Sequence, residues 1–374
     1  MKKKTHMILL YNNNIMSKQI VDIKADTLSA KSLLKEQSAY HIIDNMSSYG
    51  VGANDDYYLF TNGVDNGDDG TVTYDNVNKW LEIDSSTFTK TWVTTPAATG
   101  GLDHVKYLAY HKTAVTLPDD GSEVLYEVVA SGKQTIGTIP GALQPGVTNP
   151  LSDLRIAGSA INTIDYATWM VYDVFFTDET IYAFYERLPF GRTDFGGSDV
   201  NYHAFSHAIP IGSRDRTDPI NDFARVGIAI NKSKGYVRWL VNGVEKFRVT
   251  DLGMPIDRKY RILDHGGISQ RVTQNTLNVG FGTFTLLDMS NPSASDPAIA
   301  MTMAAAATKD ANTPLLQLGL PAQYIDPDQV NTATGADIAA TFLDNTDGNR
   351  LFGNGAVLRI KSLSVVQQDG VLEM

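Results

Sequence analysis

The sequence predicts an all-β protein built from antiparallel sheets, and three observations carry that reading. The first is Asn242-Gly243, set between the alternating runs Val237-Arg238-Trp239-Leu240-Val241 and Val244-Glu245-Lys246-Phe247-Arg248-Val249. A two-residue Asn-Gly loop needs positive φ at both centres, which these residues tolerate, and its twist suits paired antiparallel strands. The second is a strand from Ala224 to Ile230 that enters this hairpin across Asn231-Lys232-Ser233-Lys234-Gly235, giving a three-strand meander with Trp239 at its centre. The third is the even spacing of the other strand-like runs, punctuated by turn residues as in a β-sandwich.

Taken in order, residues 1–38 form a lysine-rich arm with a short helix expected from Ala25 to Glu36, capped by Asp26. Such terminal segments are usually peripheral, and docking or assembly is the functional alternative. Strands then read at Val72 to Tyr74, Lys79 to Asp84, Val105 to His111, Val124 to Ala130, Met170 to Phe176, Ile181 to Leu188, His203 to Pro210, the meander, and Thr276 to Leu287. Residues 289–350 change character, with Ala304 to Ala307, several prolines and many Asn, Asp and Thr residues, and read as a long loop insertion. A clear strand, Ala356 to Val366, follows it and implies that the chain returns to pair within the same sheet system. The expected organisation is therefore the arm plus one sandwich domain over residues 39–374.

Composition narrows the function classes. At 374 residues, 43% hydrophobic and 20% charged, the chain is globular and can bury a sizeable core. A net charge of −11 repels phosphate backbones, which argues against nucleic acid as a partner and for a neutral or cationic one. The absence of cysteine excludes disulfides, thiolate metal sites and a cysteine nucleophile. Met7 to Tyr11 is too short for a signal peptide core, and no window approaches the apolar length of a membrane span. The expectation is a soluble, cytoplasmic or leaderless-exported protein with no membrane partner. No Gly-x-Ser-x-Gly, Walker loop or dinucleotide fingerprint occurs, and no cofactor is expected. Asp65 to Gly70 hints at calcium, but Gly67 occupies a ligand position and no glutamate follows at the required spacing. It reads as a solvated turn, and no metal site is expected.

The best chemical candidate comes from strand parity. If Thr177-Asp178-Glu179-Thr180 closes a simple hairpin, Phe176 faces Ile181 and one face carries Tyr172, Val174, Phe176, Ile181, Ala183 and Tyr185, an apolar core set. The other face carries Val171, Asp173, Phe175, Tyr182, Phe184 and Glu186. Asp173 and Glu186 become diagonal neighbours with Cα atoms about 7–8 Å apart. Rings beside paired acids on a concave sheet suit a sugar, the rings stacking on C–H faces and the acids accepting from hydroxyls. Arg187 and Arg192 are placed at the rim. The acid spacing also overlaps that of acid/base pairs in glycoside cleavage. A competing reading makes Asp173 and Glu186 structural acids bonded to Arg187, Arg192 or backbone. Two Asp-His pairs, Asp103-His104 and Asp264-His265, could orient a general base or ligand-binding group only by cross-pairing, because adjacent strand residues face opposite ways. His203 and His207 share a face but stand too far apart to chelate one ion readily.

The segment Val237 to Val244 resembles the hairpin of concanavalin A-like lectins, laminin-G-type modules and family 16 glucanases. Three further stretches, Gly100 to Leu108, Asn162-Thr163-Ile164-Asp165 through Tyr182 to Arg192, and Leu263 to Gly267, resemble a domain family of unknown function found mainly in bacteria and fungi. That resemblance covers about residues 40 to 366 and implies a concanavalin A-like jelly roll with no established activity. Family 16 glucanases carry a Glu-x-Asp-x-x-Glu strand. Glu82-Ile83-Asp84-Ser85-Ser86-Thr87 lacks the final acid, which sets glucanase chemistry in doubt and leaves Glu82 and Asp84 as solvent-facing strand positions. Three functional expectations result: a glycan- or other small-neutral-ligand-binding sandwich lined by Phe175, Tyr182, Phe184, Arg187, Arg192, His104, Asp264 and His265; a glycoside-cleaving or small-metabolite enzyme with Asp173 and Glu186 as acid and base; or a homo-oligomeric structural protein joined through the arm and the insertion.

Overall fold

The computed structural model describes residues 39–60, 67–89, 105–137, 149–193, 197–264, 267–285, 317–318, 322–330, 337–340 and 354–369. The strands among them are β1 (Ala39–Asp44), β2 (Tyr57–Leu59), β3 (Thr71–Asp75), β4 (Trp80–Ser85), β5 (Val105–His111), β6 (Val115–Thr116) and β7 (Glu123–Thr135). There follow β8 (Gly158–Asp165), β9 (Met170–Phe176), β10 (Thr180–Arg187), β11 (Phe205–Ser213), β12 (Ala224–Asn231), β13 (Tyr236–Val241) and β14 (Val244–Val249). The last are β15 (Arg261–Asp264), β16 (Thr276–Phe284), β17 (Gln317–Leu318), β18 (Ala322–Val330), β19 (Asp337–Ala340) and β20 (Gly355–Gln368).

They form two antiparallel sheets packed as a β-sandwich. One sheet runs β14-β13-β12-β7-β20-β4-β3, with β1 beside β20. The other runs β17-β18-β15-β11-β10-β9-β8-β16-β5-β2, with β19 on β18 and β6 on β16. The expected meander is β12-β13-β14, and its loop takes the anticipated conformation, φ +52° at Asn242 and +78° at Gly243. The Asn242 side chain accepts from the Arg225 backbone N–H at 3.0 Å, which ties the loop to the start of β12.

The late strand does return to the middle of a sheet: β20 pairs with β7 along one edge and β4 along the other. Residues 289–350 add more than loop, since β18 within them pairs with β15 through Leu263 and Tyr324 and extends the larger sheet. The expected helix in the arm lies outside the described residues. Asp69 corrects the reading of its turn as solvated: it is buried, and its carboxylate accepts from the Thr89 N–H at 2.8 Å and hydroxyl at 2.7 Å.

The main core fills the space between the sheets. From the smaller sheet come Tyr126, Val128, Ile228, Val237, Trp239, Leu358 and Val365; from the larger come Met170, Tyr172, Val174, Phe176, Ile181, Ala183, Tyr185 and Phe281. Trp239 anchors this layer. Fully buried, it packs edge-on against Tyr172 and Tyr185, which stack on each other, and its Nε1 donates to the Asp173 carbonyl at 2.9 Å. The meander thus grips the backbone of β9 at the residue that carries one of the two candidate acids.

Candidate ligand-binding site

The β9–β10 ladder has the register that the hairpin spacing implies: Ile181 opposite Phe176, Tyr182 opposite Phe175, Phe184 opposite Asp173 and Glu186 opposite Val171. One face of this ribbon enters the main core. The other carries Asp173, Glu186, Phe175, Phe184 and Tyr182 together, but most of it is covered. Phe175 and Phe184 are buried with ring centroids 5.1 Å apart, in a second apolar cluster with Leu108, Tyr110, Leu154, Ile156 and Phe284. Tyr182 is half-buried, and its hydroxyl donates to the Ser152 carbonyl at 2.6 Å, so its polar end is already engaged. The expectation of an open groove over these rings is therefore corrected: this face has its own apolar cover.

The two acids differ. Asp173 is 4% exposed. It accepts from the Asn162 side-chain amide at 2.8 Å and the Thr163 N–H at 2.9 Å, both from β8. Burial pushes its carboxyl well above the usual range; these two bonds oppose the shift and the charge of Glu186 adds to it. Glu186 is partly exposed and is hydrogen-bonded to the Ser206 hydroxyl of β11. Burial pushes its pKa up to about 7, opposed by the serine bond. Asp173 is thus a satisfied interior acid, and Glu186 is the carboxyl poised near neutrality at the edge of the cover.

Arg187 is not on the Glu186 side of the ribbon. Strand alternation sends it the other way, opposite Met170, which corrects its placement at a shared rim. It is 5% exposed, with its guanidinium carbon 3.9 Å from the centre of the Tyr202 ring. Arg192 is partly exposed and bridges through its backbone to Asp199. His104 and His265 lie outside the described residues, and of Asp264 only the backbone is described, paired with Phe205 at the end of β15. His203 and His207 flank the Phe205 ring, and the His203 Nδ1 sits 2.7 Å from the Ser269 hydroxyl. Among the described residues no group of three His, Asp or Glu could hold a metal ion.

At the end of the same ribbon lies a cavity of about 290 Å³, whose lining residues include Trp169, Arg187, Phe190, Asp199, Tyr202 and Val272. Three aromatic rings wall it, and the Trp169 and Phe190 centroids are 5.2 Å apart. The charge of Glu186 reaches the Tyr202 hydroxyl, linking the cavity to the near-neutral acid. Trp169 holds φ +58°, a left-handed conformation in the Asp165–Trp169 turn where glycine or asparagine is the comfortable choice. Keeping a bulky ring there costs on the order of 1 kcal/mol, a strain that collects at functional positions. Sequence reasoning did not single out Trp169, Phe190 or Tyr202. The available signal was the density of aromatic and arginine residues in Tyr182 to Arg192, directly after a turn that ends in tryptophan.

Fold and site together define a jelly-roll sandwich with an aromatic-walled cavity beside a buried arginine and a near-neutral glutamate. The chain belongs to the family of unknown function DUF6081, whose model matches residues 50–369. It is 34% identical over 362 aligned residues to the protein L829 of Acanthamoeba polyphaga mimivirus, covering 80% of this chain and 82% of that one. That relative is viral, whereas the sequence resemblance pointed to bacteria and fungi. Among solved structures the chain is similar to the catalytic domain of an endo-1,3-beta-glucanase (laminarinase) from Thermotoga petrophila RKU-1, with TM-score 0.40, 11% identity, and 89% of this chain and 99% of that one covered. It is also similar to a Bacillus licheniformis beta-glucanase, with TM-score 0.34, 11% identity, and coverage of 87% and 96%. At that distance neither neighbour's substrate transfers to this chain. Among the described residues no helix is long and apolar enough to cross a membrane.

Proposed function

We propose that this chain binds glycans, and that the sugar sits in the cavity at the end of β9 and β10 rather than over the covered rings of Phe175 and Phe184. The observation that supports this reading is the cavity wall of Trp169, Phe190 and Tyr202 with polar groups from Arg187 and Asp199. Rings offer apolar faces to sugar C–H groups while a few polar groups fix orientation, the usual division of labour in small-ligand pockets. The volume is near the lower end of such pockets and suits one sugar ring. Trp169→Gly removes the largest ring and relieves the left-handed backbone, which offsets part of the packing lost against Tyr166 and Phe190. Affinity for the glycan retained by wild type on an array should fall at least about tenfold, a change of about 1.4 kcal/mol. Wild type that retains no glycan, or a variant that binds as tightly, would sink the proposal.

A second reading, glycoside cleavage, draws on the pKa of about 7 at Glu186, in the range that suits a general acid, and on the partner carboxyl of Asp173. Under it, Glu186→Gln abolishes release of reducing ends from the bound glycan while leaving affinity intact. A protein that only binds shows no turnover in either form.

A further inference from the structure

Arg187 stands apart from the other buried arginines of the fold. Arg238 faces Glu123, donating from Nε at 3.1 Å, and a second guanidinium nitrogen completes the pair. Arg214 gives its nitrogens to the carbonyls of Gly132, Thr177, Pro219 and Asp222. For Arg187, by contrast, Nε and Nη1 are buried with no hydrogen-bond partner. Among the described residues no carboxylate lies within ion-pair distance of it; its contacts are the Tyr202 ring and hydroxyl, and that hydroxyl also donates to the Thr168 carbonyl at 3.1 Å. Taking a charge out of water without a partner is expensive, so a buried cation left open in this way needs a counter-charge from elsewhere. Arg187 is one of the residues that line the aromatic cavity, so the under-partnered cation stands beside it.

We infer that Arg187 receives the negative group of the ligand, and that the glycan is an acidic one carrying a ring carboxylate or a sulfate ester. The inference rests on the glycan reading above and narrows it to a charge class. With its guanidinium carbon 3.9 Å from the Tyr202 ring centre, Arg187 carries the planar fork by which arginine binds oxyanions through paired hydrogen bonds. Asp199, in the same wall, already accepts from the Asn201 N–H at 2.8 Å and keeps acceptor capacity for sugar hydroxyls. The cavity then has one positive donor for the acid group, one acceptor for hydroxyls, and rings for the apolar face. This arrangement selects an acidic sugar over a neutral one of the same shape.

The test is calorimetric titration of the full chain with three probes: a trigalacturonate, the same trisaccharide with its carboxyls reduced to alcohols, and a sulfated trisaccharide of matched length. Wild type should bind the carboxylate or the sulfate probe at least tenfold tighter than the neutral one, and the tighter of the two names the group. Arg187→Met should erase that preference while its thermal midpoint without ligand stays level or rises, because an unpaired buried charge has gone. A purely structural arginine would instead lower the midpoint and leave the preference in place. If neutral and acidic probes bind wild type equally, the charge inference falls and glycan binding stands. If no trisaccharide of any charge binds, both fall. The comparison between probes on wild type needs no variant, so a misfolded Arg187→Met would not rescue the idea.

Discussion

Replacing Trp239 by alanine is expected to cost about 3–5 kcal/mol of folding stability, the range for removing a large aromatic side chain from a packed core. The residue is fully buried and bridges the two sheets, with Tyr172, Tyr185 and Phe247 within ring-contact distance. Two separate losses add up. The cavity removes apolar contact from both layers, and the Asp173 carbonyl loses the indole N–H that reaches it at 2.9 Å. Trp239→Phe separates them, since it keeps most of the volume and deletes the donor. It should cost roughly 1–3 kcal/mol, in the range of an unsatisfied buried acceptor plus a small void. Urea unfolding of the three proteins measures both differences at unchanged slope. A loss below about 1 kcal/mol for the alanine variant would mean that the sheets close over the gap and that Trp239 is no anchor.

The same tryptophan shows what the sequence could and could not convey. The Asn-Gly loop and its flanking alternation are local, and they place β13, its pairing with β14 next to the loop and the central Trp239. A bulge between Trp239 and Leu240 shifts the rest of the register and puts Trp239 opposite Phe247. The four-residue loop between β9 and β10 is also local, so Asp173, Phe175, Tyr182, Phe184 and Glu186 could be assigned to one face before any coordinates. What covers that face is set by distant segments, and the alternation pattern carries no trace of them. β8 illustrates the difficulty. It is buried along its whole length on both faces, so its small and polar residues Gly158-Ser159-Ala160 and Asn162-Thr163 show no period of two. Yet Asn162 and Thr163 are the groups that hydrogen-bond Asp173 in the interior. Arg187 was misplaced for a related reason. As a charged residue beside Glu186 it invited a shared rim, whereas parity turns it inward and Tyr202, fifteen positions later in a loop, receives it.

The second large effect is a pH dependence of stability centred on Glu186. Burial holds its carboxyl at about 7, against the usual 4.5, so the folded chain binds this proton more tightly than the unfolded chain does. Stability falls with rising pH wherever the folded state holds more protons. The contribution of Glu186 is therefore intact below about pH 4.5 and is lost as pH rises through about 7, where the folded carboxyl is half ionised. A shift of about 2.5 units corresponds to roughly 3 kcal/mol at most, lessened by the partial exposure of the side chain. Glu186→Gln keeps the shape and the bond to Ser206 but cannot ionise. Its stability relative to wild type should be near zero at pH 4 and rise to as much as about 3 kcal/mol at pH 8, read from urea melts at both ends and at pH 6. Asp173 shifts in the same direction and is present in both proteins, so the part of its slope set by burial cancels in the difference, while the part contributed by the Glu186 charge is lost with the glutamine. A difference that stays flat from pH 4 to 8 would mean that Glu186 ionises as it does in water, which removes the proton donor on which glycoside cleavage depends and leaves glycan binding untouched.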